Sequence, residues 1–236
     1  VLAKIAARSE GDAGLAREAL AGMAGAPAAQ AILALARQGQ PEVRAALMAV
    51  LAERPGAGSV AALLAGARDT VPDVAVSALR GLAAAGGAAE VQPIAALLVA
   101  TADERVREAA GRALVACVQR SGERDQAAAP VVGALTTASG EARIALLGVL
   151  AEIGGDRALA ELKNAAASSD ADVRRAAVRA LAETWADSAP APMLLETART
   201  DASPAIRIIA LRGYIRLIGQ DGGIPTGAKI EALTEA

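Results

Sequence analysis

The chain of 236 residues contains no histidine and no phenylalanine, one cysteine, one tryptophan and one tyrosine. Each shortage removes a class of chemistry. Without histidine there is no imidazole to act as general base at neutral pH and no histidine metal ligand. A single thiol, Cys117, rules out a disulfide within the chain, and its place in the apolar stretch ALVACV, with no second cysteine nearby, predicts a buried small hydrophobe. Aromatics at 1% leave no platform on which a flat ligand or a nucleobase could stack. The formal charge of -2 gives no basic excess to attract nucleic acid or an anionic surface, so no nucleic-acid partner is expected. Apolar runs are interrupted by charge or glycine well before the roughly 20 residues that a membrane span requires. Acidic pairs such as Asp103 with Glu104 fall where helices should begin and read as caps. The sequence therefore assigns no catalytic, cofactor-binding or metal-ligating residue, and no enzymatic activity is expected.

What is abundant is alanine, within an apolar fraction of 54%. Alanine has the highest helix propensity and lets helices approach closely, which predicts an all-α chain. A short phrase also recurs: an aliphatic residue, usually followed by Arg, with Ala or Leu four residues on and usually Leu eight on. Its anchors are Leu15, Val43, Val74, Val106, Ala142, Val173 and Ile206, and four of the six intervals are 31 to 33 residues. That period marks stacked two-helix units, each unable to bury its apolar face alone. Seven second helices carry the anchors, and Pro41, Pro72 and Pro204 stand where three of them should start. Shorter first helices precede six of them, as in AAQAILALARQ from Ala28 and RALAELKNAAA from Arg157. Gly154 with Gly155, and Gly219 with Gly222 and Gly223, are read as stops after second helices. The 36-residue interval from Val106 to Ala142 holds the polar stretch RSGERDQ, read as a longer loop between repeats and not as a domain boundary. The whole of 1–236 is read as one array. It opens at Val1 and closes on AKIEALTEA, which reads as another first helix, so it is expected to be part of a longer protein.

The phrases DADVRRAAVRAL from Asp170, QPEVRAAL from Gln40 and VPDVAVSAL from Val71 resemble the HEAT repeats, in their short bacterial form. The resemblance implies a right-handed α-α superhelix, here of about seven helix pairs, with second helices on the concave side. It also implies a ladder of arginine and aspartate. Arg44, Arg107, Arg143, Arg174 and Arg207 hold the arginine position, but only Asp69 and Asp201 supply the aspartate, so a broken ladder is expected. The absence of histidine excludes the His-Glu di-iron pattern of one enzymatic branch of that superfamily. The stretch from ETWADSAPAPMLLETA at Glu183 to ALRGYIRLIG at Ala210 is similar to HEAT segments of large multidomain bacterial proteins, which implies an exported or periplasmic setting, though the residues themselves assign no compartment.

On a helix of 100° per residue, the anchor positions 0, 1, 4, 7 and 8 converge, and positions 2, 6 and 9 point away. Position 6 supplies Arg80, Arg112, Arg179 and Arg212, and position 2 supplies Val76, Ile144 and Ile208. Arginine mixed with exposed aliphatic residues resembles the composition of protein interfaces. These seven residues are the candidate binding surface, suited to an acidic, partly apolar segment of a protein partner or to neighbouring domains of the same chain. The function expected is a non-enzymatic scaffold or protein-binding module. The alternatives are an accessory domain of a sugar-active enzyme or a bilin-lyase-like enzyme. Tyr214, at the position where other repeats place leucine, is expected to pack in the core, and Trp185 to plug the turn that follows its helix.

Overall fold

The computed structural model describes residues 1–8, 11–54, 56–220, 223 and 225–234, and among them there is no strand. They form two compact units, Val1–Glu123 and Arg124–Ala236. The first unit holds α1 (Leu2–Ala6), α2 (Ala13–Gly22), α3 (Ala26–Gln38), α4 (Pro41–Ala52), α5 (Ala57–Gly66), α6 (Pro72–Ala85), α7 (Ala88–Ala100) and α8 (Glu104–Arg120). The second holds α9 (Arg124–Ala127), α10 (Ala129–Leu135), α11 (Gly140–Ile153), α12 (Asp156–Ala166), α13 (Ala171–Arg179), a π-helical turn (Ala180–Thr184), α14 (Ala191–Thr200), α15 (Pro204–Gln220) and α16 (Thr226–Thr234).

Even-numbered helices in the first unit, and α11, α13 and α15 in the second, are the second helices of the sequence pattern. Each packs on the first helix before it, and successive second helices pack on one another within a unit: α2 on α4, α4 on α6 and α6 on α8, then α11 on α13 and α13 on α15. The expected helix pairs are therefore all present among the described residues. Local chemistry sets their ends. Asp103 Oδ1 accepts from the Val106 amide at 3.0 Å, and Asp170 Oδ1 accepts from those of Asp172 and Val173 at 2.9 and 3.2 Å, satisfying amides that open α8 and α13. Pro41, Pro72 and Pro204 are the first residues of α4, α6 and α15. Gly154 and Gly155 leave α11 with φ of 72° and 90°, a conformation that side chains disfavour.

The structure departs from the sequence reading at several points. Leu15 is 68% exposed, and it is Ala16 that is buried in α2, so the first repeat is anchored on Ala16 followed by Arg17, one residue later than the pattern suggests. Part of the RSGERDQ stretch is the short helix α9, and the division between the two units falls in that stretch. Gly219 does not stop α15, which continues to Gln220; Gly222 lies outside the described residues.

Two sets of arginines tie neighbouring repeats together. In the first, Arg44 Nη1 meets Asp69 Oδ2 at 2.5 Å and Arg174 Nε meets Asp201 Oδ2 at 3.1 Å, each joining one second helix to the turn of the following repeat. The other oxygens of Asp69 and Asp201 accept from the amides of Val71 and Ser203 at 2.9 and 2.7 Å, which fixes the turn. Where serine replaces aspartate, at Ser168, the hydroxyl still accepts from the Asp170 amide at 3.2 Å, but Arg143 has no carboxylate to meet and its Nε is enclosed without a hydrogen bond. The ladder is broken there, as the sequence predicts.

The second set runs the other way. Arg54 Nη1 donates to the carbonyls of Leu20, Ala21 and Met23 at 2.8 to 2.9 Å, at the end of α2. Arg120 donates to Gly86 O and, at 2.6 Å, to Ala83 O at the end of α6. Arg216 donates through Nε to Ala182 O and through Nη2 to Trp185 O, both at 2.7 Å, across the π-helical turn. The last turn of a helix leaves carbonyls without amide partners, and a cation there also meets the negative end of the helix dipole. Three second helices thus have their C-termini closed by an arginine of the next repeat, Arg120 and Arg216 within its second helix and Arg54 in the turn just past it.

Candidate functional site

The core takes up one side of the second helices, and much of the opposite side is left to solvent. In the first unit that side forms a groove of about 620 Å³ along α4 and α6, next to α1 and α2. Its floor is made of small side chains: Ala45, Ala49 and Ala52 of α4, and Ser77, Gly81 and Ala84 of α6. Arg8 and Arg80 border it with Glu42 and Glu53, and none of these four makes a side-chain hydrogen bond or ion pair among the described residues. A second hollow of about 340 Å³ lies in the same unit at the turns before α6 and α8, lined by Arg68, Asp69, Thr101 and Asp103 among others. Asp69 is held by Arg44, and Thr101 and Asp103 fix their own turn, so those groups are occupied.

The four arginines predicted from position 6 are all exposed. Arg80 borders the groove. Arg112 lies on the solvent side of α8, 3.7 Å from Glu108, and Arg179 on that of α13, 3.7 Å from Glu183. Such exposed pairs one turn apart contribute little, of order 0.3 kcal/mol, and leave both groups free to exchange partners. Ile144 and Ile208 are exposed in the second unit as expected. Val76 is not: only 6% of its surface is accessible, and it belongs to the core. α6 packs between α4 and α8 as α13 packs between α11 and α15, and at position 2 the short Val76 is covered while the longer, charged Arg175 of α13 stays exposed.

Sequence reasoning missed the alanine floor and Ile215. Position 9 is half-buried at Ala52 and exposed at Ile215 but buried at Val115, Ala151 and Ala182, so the signal lies in reading positions 2, 6 and 9 together, repeat by repeat. In the second repeat they are Ala45, Ala49 and Ala52, so nothing fills the space in front of α4.

Other groups are structural. Cys117 is fully buried, its Sγ 3.6 Å from Leu82 O, and burial pushes its thiol up to about 11, so the reactive thiolate is suppressed. Trp185 is buried, and its indole N–H donates to Asp187 Oδ1 at 2.9 Å; Tyr214 is buried in α15. Among the described residues no three His, Cys, Asp or Glu side chains are grouped so as to hold a metal ion, and no helix is long and apolar enough to cross a membrane.

Paired helices of about thirty residues, stacked through their second helices and offering one face to solvent, define a helical repeat fold. Residues 117–215 match the model of one family, HEAT repeats. No curated protein matches it. Among solved structures it is similar to human deoxyhypusine hydroxylase in complex with glycerol, with 17% identity, 99% of this chain and 92% of that chain covered, and a TM-score of 0.40. It is also similar to the complex of CpcE and CpcF of phycocyanin lyase from Nostoc sp. PCC7120, with 18% identity, coverage of 99% and 94%, and the same TM-score of 0.40. Both names are those of enzymes, and the expectation that this chain is no enzyme is withdrawn on that finding. A likeness of this degree assigns neither reaction to the chain.

Proposed function

We propose that this chain is a protein-docking scaffold, which holds polypeptide segments against the solvent faces of its second helices. The groove of the first unit is the observation that carries this reading. A cavity of about 620 Å³ lies within the range of roughly 300 to 1,000 Å³ usual for binding sites, and its floor of alanine and glycine lets a bound backbone or an aliphatic side chain come close. Charges of both signs at its edge, Arg80 and Arg8 with Glu42 and Glu53, are free to pair with a polypeptide and suit no purely anionic ligand. In the second unit Arg179, Arg212, Ile144 and Ile208 offer exposed basic and aliphatic groups to a partner segment or to a neighbouring domain of the same protein. The HEAT match runs from 117 to 215, across the division at Glu123, which supports reading 1–236 as one run of repeats.

Filling the groove tests the proposal. Ala49→Trp places an indole over the floor at a half-buried, solvent-side position. Polypeptides captured from lysate of the source cells by the immobilised wild-type chain are expected to be lost from this variant, while its helical circular dichroism and unfolding midpoint stay close to wild type. Should both chains, equally folded, retain the same polypeptides, the groove is not the docking site.

A further inference from the structure

The solvent face of α15 is more apolar than those of α8 and α13, and it carries two large exposed aliphatic residues where α11 carries one, Ile144. Ala205, Ile208, Arg212, Ile215 and Gly219 follow one another at helical spacing and are all exposed. They cover about 21 Å of helix at 1.5 Å per residue, and Arg212 is the only polar side chain among them. The corresponding positions of α13 are Asp172, Arg175, Arg179 and the buried Ala182, with Asp172 and Arg175 ion-paired and Arg179 3.7 Å from Glu183, and those of α8 are Arg105, Glu108, Arg112, the buried Val115 and Gln119. A helix face turned to water ordinarily looks like those two. On α15, Ile208 is 53% and Ile215 46% exposed, and Arg212 between them makes no hydrogen bond or ion pair among the described residues.

The charge at the centre of the stripe selects its occupant. Two copies of α15 packed across a twofold axis would set Ile208 against the second copy's Ile215, but would also set Arg212 against its own copy in a desolvated contact, and like charges so placed cost several kcal/mol. A helix with a carboxylate at that central position would gain the same aliphatic contacts and pair with the guanidinium. We propose that the α15 face docks an amphipathic helix of a partner protein, with aliphatic residues two turns apart and an Asp or Glu between them. Recognition is of the helix-on-groove kind, in which side chains spaced by three, four and seven residues anchor the partner. This rests on the docking reading of the second-helix faces and names the partner for one of them.

The chain supplies its own probe. Arg212→Glu turns the stripe into Ile208, a carboxylate and Ile215 on a helix, the pattern that wild-type α15 should accept. Wild-type chain, mass-labelled, is mixed with Arg212→Glu and the species are counted by native mass spectrometry, with circular dichroism verifying that each chain is folded. The expected result is a heterodimer whose association constant exceeds that of either homodimer at least tenfold, and its loss when Ile208→Asp is placed in either component. No heterodimer between folded chains, heterodimer in merely statistical proportion, heterodimer that survives Ile208→Asp, or a wild-type homodimer that Ile208→Asp dissolves would each overturn the proposal. Loss of captured polypeptide on Ala49→Trp is read separately, so failure of this partner assignment leaves the docking reading of the first unit standing, and the reverse.

Discussion

Gly213→Ala is expected to destabilise the second unit by about 3 kcal/mol, the upper end of the usual range for overpacking. A Cβ added to Gly213 would stand 2.4 Å from Ala182 Cβ, 2.5 Å from Ala182 Cα and 3.2 Å from Leu194 Cδ1. A flexible side chain could move aside, but the closest atoms belong to the backbone and first side-chain carbon of the π-helical turn. Relief therefore requires α15 to withdraw from that turn, opening the contacts of its neighbours. Gly148→Ala is the control with opposite sign. Gly148 sits within α11 with nothing within 4 Å of an added Cβ, so alanine there should stabilise by about 0.5 to 1 kcal/mol through helix propensity. Urea unfolding followed by the fluorescence of Trp185 reads both, because the only tryptophan lies next to the affected turn.

Arg216→Ala is expected to cost about 2 kcal/mol, read by the same signal. It removes the two charge-assisted bonds to Ala182 O and Trp185 O, each 2.7 Å long, and such bonds contribute roughly 1.5 to 3 kcal/mol when enclosed. Partial access of water to the freed carbonyls keeps the total nearer the lower figure. Arg216→Lys can restore one of the two bonds at most, and should recover about half of the loss. If the alanine variant unfolded at the wild-type urea midpoint, the closure of one second helix by the next would have no energetic weight. Since Gly213 and Arg216 act on the same turn, the double variant should lose less than the two single losses added together.

The fold was legible because its evidence is local and repeated. Val43, Val74, Val106, Val173 and Ile206 sit where the pattern puts them, with proline, aspartate or glycine at the helix ends performing their ordinary conformational work. Leu15 misled because a large aliphatic residue is the obvious anchor, whereas the residue that α2 buries there is its neighbour Ala16. Val76 misled for a different reason. Whether position 2 is exposed depends on the length of its side chain as well as on what lies beside the helix, and the second is information from residues about thirty positions away. The arginines that close second helices were invisible since they hold no fixed register: Arg54, Arg120 and Arg216 stand eleven, fourteen and ten residues after their anchors. The alanine groove was missed as well, because a hollow is made by side chains that are absent, and a search for chemical groups passes over it.

The central claim is that the chain receives partners on the solvent faces of its second helices and not on its first helices. A photo-crosslinking residue placed singly at Ala49, Ala84, Ile208, Ile215, Gln92 and Lys163, all of them half-buried or exposed, samples both sides of the pairs in the source cells. Covalent adducts to other polypeptides at the first four positions, of α4, α6 and α15, with none at Gln92 of α7 or Lys163 of α12, are the predicted result. Adducts confined to Gln92 and Lys163, or spread evenly over all six positions, would contradict it.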